Sequence, residues 1–306
     1  MSKNIVFMGS PQFSVPTLKV LAKSLYQIMC VYTQPPKKAL RGQNIVQTPI
    51  QEVAENLKIG VRSPNDLNDE NEFKYFKSLK PDFVVVVAYG KIIPKKYLSL
   101  ARSGFINIHA SLLPKWRGAA PIQRSIMNRD KKSGISFMKI EEGLDEGPFC
   151  KQISVDIDNK TTAKILSDKL SKLGAENIID CLNAISEKKA NFTQQISSQV
   201  SYAGKIKKTE AKIDWTNNAN VILAKINGLN PDPGAWFEHE GFRFKIWKAV
   251  LSDLNGKPGE ILDETMIIGC KEKSIKILEI QKEGKNRLFI DDFLSGNKMI
   301  KGKTIS

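Results

Sequence analysis

Short apolar runs alternate with amphipathic stretches over the first 190 residues. That alternation predicts a parallel α/β sheet flanked by helices. Ile5-Val6-Phe7-Met8 reads as a buried strand ended by a Gly9-Ser10-Pro11 turn, and Val15, Leu18, Leu21 and Ala22 then recur at helical spacing. Residues 28–32 predict a second strand, and residues 34–47 a polar loop holding Pro35, Pro36, Lys37, Lys38, Arg41 and Gly42. The β-branched run at 83–88 predicts a central strand covered on both faces. A strand at 105–109 leads into a loop at 111–118 and a helix over 121–127. A strand at 136–140 and a long helix at 161–185 follow.

The texture changes at residues 191–210, which are polar and rich in Gln and Ser. This pattern predicts a first domain over 1–190, a linker over 191–207 and a second domain over 208–306. In the second, Ala235-Trp236-Phe237 and residues 242–247 alternate around a Glu240-Gly241 turn, and further Gly and Pro turns predict a small β-barrel.

A length of 306 residues agrees with two domains. The longest apolar run, residues 83–89, is far shorter than the roughly 20 residues of a membrane span. The N-terminus lacks a signal-peptide pattern, so a cytoplasmic protein with no membrane partner is expected. Cys30, Cys150, Cys181 and Cys270 have no paired spacing, which argues against a zinc knuckle or a disulfide framework. Basic side chains outnumber acidic ones, 47 to 32, for a net charge of +15. Such an excess suits a polyanionic partner. Lysine and isoleucine are abundant throughout, however, so charge alone leaves nucleic-acid binding and genome composition equally open.

The first strand–helix turn carries one glycine, Gly9, where a dinucleotide fingerprint needs three, and Pro11 removes a backbone donor. A P-loop sequence is also missing. His239, between Glu238 and Glu240, reads as a solvated turn residue. Asn107 and His109 are two apart on a strand, so they share a face, and they stand at its carboxyl end, where open α/β sheets place ligands. In isolation that pair reads better as a core histidine beside a capping asparagine. Its context changes the reading.

Ala110-Ser111-Leu112-Leu113-Pro114-Lys115-Trp116-Arg117-Gly118-Ala119-Ala120-Pro121-Ile122 follows immediately, and Glu142-Gly143-Leu144-Asp145-Glu146-Gly147-Pro148 stands further on. With Val87-Ala88-Tyr89-Gly90-Lys91-Ile92-Ile93-Pro94, Ser201-Tyr202-Ala203-Gly204-Lys205-Ile206 and Pro233-Gly234-Ala235, these stretches resemble the folate-dependent formyltransferases along nearly the whole chain. The resemblance implies a Rossmann-like formyltransferase domain followed by an OB-like barrel that binds tRNA. It implies transfer of a formyl group from 10-formyltetrahydrofolate, a co-substrate, to the α-amine of a methionyl initiator tRNA, by a monomer that needs no metal.

The residues matching the family's catalytic trio are Asn107, His109 and Asp145. Asn107 and a protonated His109 would stabilise the oxyanion of a tetrahedral intermediate, while Asp145 orients the histidine and assists proton transfer. The resemblance assigns Ser111, Leu112, Leu113 and Pro114, with Tyr89, Gly90 and Ile92, to the folate site. For tRNA, Lys37, Lys38 and Arg41 match a family loop, and Lys207 and Lys208 join them from the start of the β-rich last third. The chain departs from common family residues at Ser10, Gln43 and Glu146. Two alternatives remain at this level: formylation of a small amine such as an amino-sugar nucleotide, and a non-catalytic RNA-binding protein. The β-rich tail speaks against enzymes acting on glycinamide ribonucleotide, and an intact trio speaks against the RNA-binding protein.

Overall fold

The computed structural model describes residues 3–39, 44–297 and 299–306; of residues 37–39, 44 and 45 it describes the backbone only. The chain forms two compact units. One comprises Met1–Ala119, Gly134–Val155 and Ser167–Ala203, the other Ala120–Ser133, Asp156–Leu166 and Gly204–Ser306.

The first unit is built on a seven-stranded sheet. Its strands are β1 (Asn4–Gly9), β2 (Gln27–Tyr32), β3 (Val61–Arg62), β4 (Phe83–Val87), β5 (Phe105–His109), β6 (Lys132–Lys139) and β7 (Phe149–Asp156), in the order β7-β6-β5-β4-β1-β2-β3. All five residues of β4 are buried, as expected for a central strand with helices on both faces. From β3 to β5 the strands run parallel, but β6 pairs antiparallel with β5, setting Ser136 opposite His109. The sheet is therefore mixed rather than wholly parallel. The connection from β5 to β6 holds one helix, Pro121–Met127, which packs against Ala219–Gly228 of the second unit, so the chain re-enters the sheet without a parallel crossover.

Two further expectations change. Within the polar loop at 34–47, Lys37–Ala39 and Asn44–Val46 pair as an antiparallel hairpin, because Ile45 and Val46 supply strand propensity that the neighbouring prolines and lysines obscure. Arg41 and Gln43 lie outside the described residues. Strand β7 had no clear signal, since Lys151, Gln152 and Asp156 interrupt its apolar alternation.

The second unit is an antiparallel half-barrel sheet. Strands β8 (Ala235–His239), β9 (Phe242–Ser252), β10 (Ile267–Gly269), β11 (Ser274–Lys282) and β12 (Leu288–Phe289) follow the order β8-β9-β11-β10, with β12 on β11. Ile222 and Ile226 of the helix Ala219–Gly228 share its core with Phe237, Phe244, Ile246 and Ile277. Glu240 and Gly241 both take positive φ, 49° and 78°, the geometry of a two-residue hairpin turn. His239 lies on β8 opposite Phe242, and its side chain is only 10% exposed, so it is not the solvated turn residue expected.

Arg124 of the helix Pro121–Met127 grips Glu210 through two bonds, 2.7 and 3.1 Å. Arg124 holds the Glu210 carboxyl at about 2, below its ordinary 4.5. A depressed carboxyl stabilises the fold fully above its unfolded value, and that contribution is lost as pH falls through the folded value. The thermal midpoint of Glu210→Gln should therefore lie below the parent's at neutral pH, with the gap closing between about pH 4.5 and about pH 2. A gap that stays constant over that range counts against the pairing. Among the described residues, no helix is long and apolar enough to cross a membrane.

Candidate active site

Strand β5 carries both Asn107 and His109 to its carboxyl end, and the loop between β6 and β7 brings Asp145 to them. Asn107 Nδ2 donates to Asp145 Oδ1 at 3.5 Å, and His109 Nδ1 lies 3.5 Å from Asp145 Oδ2. On its other side His109 Nε2 donates to the Trp116 carbonyl at 2.9 Å. Both neighbours of the ring are acceptors, the Asp145 carboxylate beside Nδ1 and the Trp116 carbonyl beside Nε2. The ring is 6% exposed and the Asp145 side chain 18%, which shields their interaction from solvent.

Asp145 is held in place by backbone. The Gly118 N–H donates to its Oδ2 at 2.8 Å. Gly118 has φ 115°, and a Cβ there would stand 3.0 Å from the Ala203 carbonyl, so only glycine aims this N–H without strain. Trp116, at φ 63°, and Asp145, at φ 49°, bend the chain in the same left-handed way to face the histidine. At Gly147 a Cβ would stand 2.0 Å from the Lys139 carbonyl, which explains the glycine that closes the Asp145 loop.

The residues expected at a folate site fall into two groups. Ser111 and Leu113 are buried and Leu112 half-buried, with a cis peptide between Leu113 and Pro114. Ser136 staples this loop: its hydroxyl donates to the Ser111 carbonyl at 2.7 Å and accepts from the Leu113 N–H at 3.1 Å. Gln152 adds a bond to the Leu113 carbonyl at 2.8 Å. Tyr89, Gly90 and Ile92 follow β4, whose Val86 pairs with Asn107, so both segments leave the same end of the sheet. The Tyr89 ring is buried, and burial pushes its phenol well above the ordinary value. Its carbonyl already accepts from Ser10 Oγ and Gln34 Nε2, at 3.1 and 3.0 Å. Ser10 thus performs its bond without the methyl group of a threonine. Ile92, by contrast, is 91% exposed.

Lys37 and Lys38 lie on the hairpin, and Lys207 and Lys208 are exposed in the second unit. Glu146 is exposed too, its carboxylate folded over Gly143. Gln195 was not foreseen. Its Nε2 donates to the carbonyls of Asp145 and Gly147, both at 2.8 Å, and its Oε1 accepts from Arg117 Nε at 3.0 Å. Arg117, Gln195, Glu146 and Tyr202 help to line an open cleft of about 530 Å³ beside Asp145. A lone glutamine in a polar stretch has no spacing or periodicity by which it could be found.

Residues 3–182 match the formyl transferase family, and residues 205–298 match the formyl transferase C-terminal domain. The methionyl-tRNA formyltransferase of Pelagibacter ubique is 51% identical over 308 residues, covering 100% of this chain and 99% of the relative. That of Mesorhizobium japonicum is 42% identical over 317 residues and covers 100% of each. Among solved structures, the methionyl-tRNA formyltransferase from Clostridium thermocellum superposes with a TM-score of 0.58 at 17% identity, covering 83% of this chain and 95% of that one. An N-formyltransferase from Helicobacter canadensis, in complex with folinic acid and dTDP-3-aminofucose, reaches 0.69 at 20% identity, covering 92% and 100%. Those two share the fold, whereas the first two share sequence across both units, and on that ground the chain belongs to the methionyl-tRNA formyltransferase family.

Proposed function

We propose that this protein transfers the formyl group of 10-formyltetrahydrofolate to the α-amine of a methionyl initiator tRNA, in translation initiation. The observation that carries this reading is the packing of Asn107, His109 and Asp145 into one shielded cluster at the carboxyl end of β5. Two N–H donors beside a carboxylate suit acyl transfer between nitrogens. Such a reaction places charge on an oxygen, takes a proton from the attacking amine and returns one to the leaving nitrogen.

Each residue then has a distinct task. Asn107 offers its amide N–H to the formyl oxygen as charge grows there. His109, paired with Asp145, adds positive charge on the same side of the site. Asp145 fixes the ring and receives the amine's proton through water. The folate supplies an activated formyl group; residues 111–114, stapled by Ser136 and Gln152, and residues 89–92 border its ring system. Glu146, exposed at the rim of the cleft, carries no step.

Lys37 and Lys38 on the hairpin, with Arg41, Lys207 and Lys208, serve the tRNA backbone. Replacing Lys37, Lys38 and Arg41 by Ala should weaken tRNA binding and flatten its salt dependence, each lost phosphate contact reducing the log–log slope by roughly 0.7–0.9. An unchanged slope in titrations of the triple variant would remove these residues from the interface. The overall reading is tested by offering the formyl donor with charged initiator tRNA, an amino-sugar nucleotide, or no acceptor. Formyl-methionyl-tRNA is the expected product, and a formylated sugar without it would overturn the assignment.

A further inference from the structure

We propose that Gln195 is a positioning residue that sets the depth of Asp145 in the site and acts on the reaction through it. This rests on the catalytic reading of Asp145 above. Asp145 occupies the left-handed region, and the two carbonyls that Gln195 ties, those of Asp145 and Gly147, flank Glu146 and so define the inner turn of the loop. Arg117 can only donate and the two carbonyls can only accept, so one orientation of the Gln195 amide satisfies all three.

Gln195 is itself anchored. Two residues earlier, Thr193 and Phe149 exchange both backbone bonds, at 3.1 and 2.9 Å, which fixes this segment to the start of β7. Arg117 lies between Trp116, whose carbonyl accepts from His109, and Gly118, whose N–H donates to Asp145. A closed circuit thus runs from His109 through residues 116–118 to Gln195 and on to Asp145, in which the Gln195 side chain ties Arg117 to the carbonyls of Asp145 and Gly147 while the Asp145 carboxylate holds Gly118. Gln195 is half-buried in a segment of mostly exposed residues, outside the apolar core. Its loss should therefore alter the loop more than the fold.

The experiment is single-turnover and steady-state formylation of methionyl initiator tRNA by the full chain, with Gln195→Ala, Gln195→Glu, Asp145→Asn and the Gln195→Ala/Asp145→Asn double variant. Gln195→Glu keeps the size and the acceptor for Arg117 but loses the donor to both carbonyls, so it serves where the alanine variant melts. Gln195→Ala and Gln195→Glu should each lower kcat about 10- to 100-fold, the range expected for misplacing a catalytic group by up to an ångström. KM for tRNA and folate should stay within about twofold, and in the Asp145→Asn background Gln195→Ala should change the rate by less than about twofold. Normal turnover in Asp145→Asn refutes the catalytic reading itself. A slow Asp145→Asn enzyme with normal Gln195 variants, a loss confined to KM, or a full multiplicative loss in the double variant overturns the positioning role alone.

Discussion

His109→Ala and Asp145→Ala should each lower kcat by at least ~10²-fold while tRNA affinity stays close to the parent's. Both groups act mainly on charge that develops during the reaction, and an interaction confined to the transition state appears in kcat rather than in binding. Their neighbours sharpen the expectation. With Asp145 gone, the Gly118 N–H loses its acceptor at 2.8 Å and His109 loses the partner 3.5 Å from Nδ1. With His109 gone, the Trp116 carbonyl loses its donor at 2.9 Å and faces the space left by a buried ring. Because that space is a packing defect, the thermal midpoint should be recorded beside the rate, with Asp145→Asn as a variant that preserves volume. Weakened tRNA affinity at normal turnover would move both residues from chemistry to recognition.

A chain ending after Tyr202 should fail to fold cooperatively and should lose formylation altogether. The helix Pro121–Met127 belongs to the second compact unit, where Ile126 is 3% exposed and Met127 packs against the half-barrel core. Gly228 lets the two helices approach closely, since a Cβ there would stand 2.7 Å from Met127 Cγ. Removing residues after 202 uncovers this face, at about 1.5–3 kcal/mol for each large apolar side chain returned to water, and deprives Arg124 of Glu210. Against a total stability of about 5–15 kcal/mol, two or three such losses are decisive. Purified residues 1–202 with a sharp thermal transition and native-like folate binding would show that the first unit stands alone.

How much of this was legible in advance varies by residue. The strands around Val84 and Ile106, the long helix and the Glu240-Gly241 hairpin follow from local rules, because burial on both faces, helical spacing and turn chemistry each leave a mark within a few residues. Asn107 and His109 were visible as a pair for the same reason, since two positions on one strand must share a face. Asp145 was reachable only through resemblance, because 36 residues separate it from His109 and no local period links them.

Apart from the hairpin at 37–46 and strand β7, the sequence by itself therefore determined the element types noted above, the change from α/β to β-rich texture and the face of β5 that bears the chemistry. The tertiary structure alone decided the antiparallel entry of β6 and the placement of the helix Pro121–Met127 with the half-barrel. It alone also brought Gln195 under the Asp145 loop. The reason is common to all three. Each depends on a partner distant in sequence, and the hydrogen bonds and apolar contacts that select such a partner form only when the chain is compact.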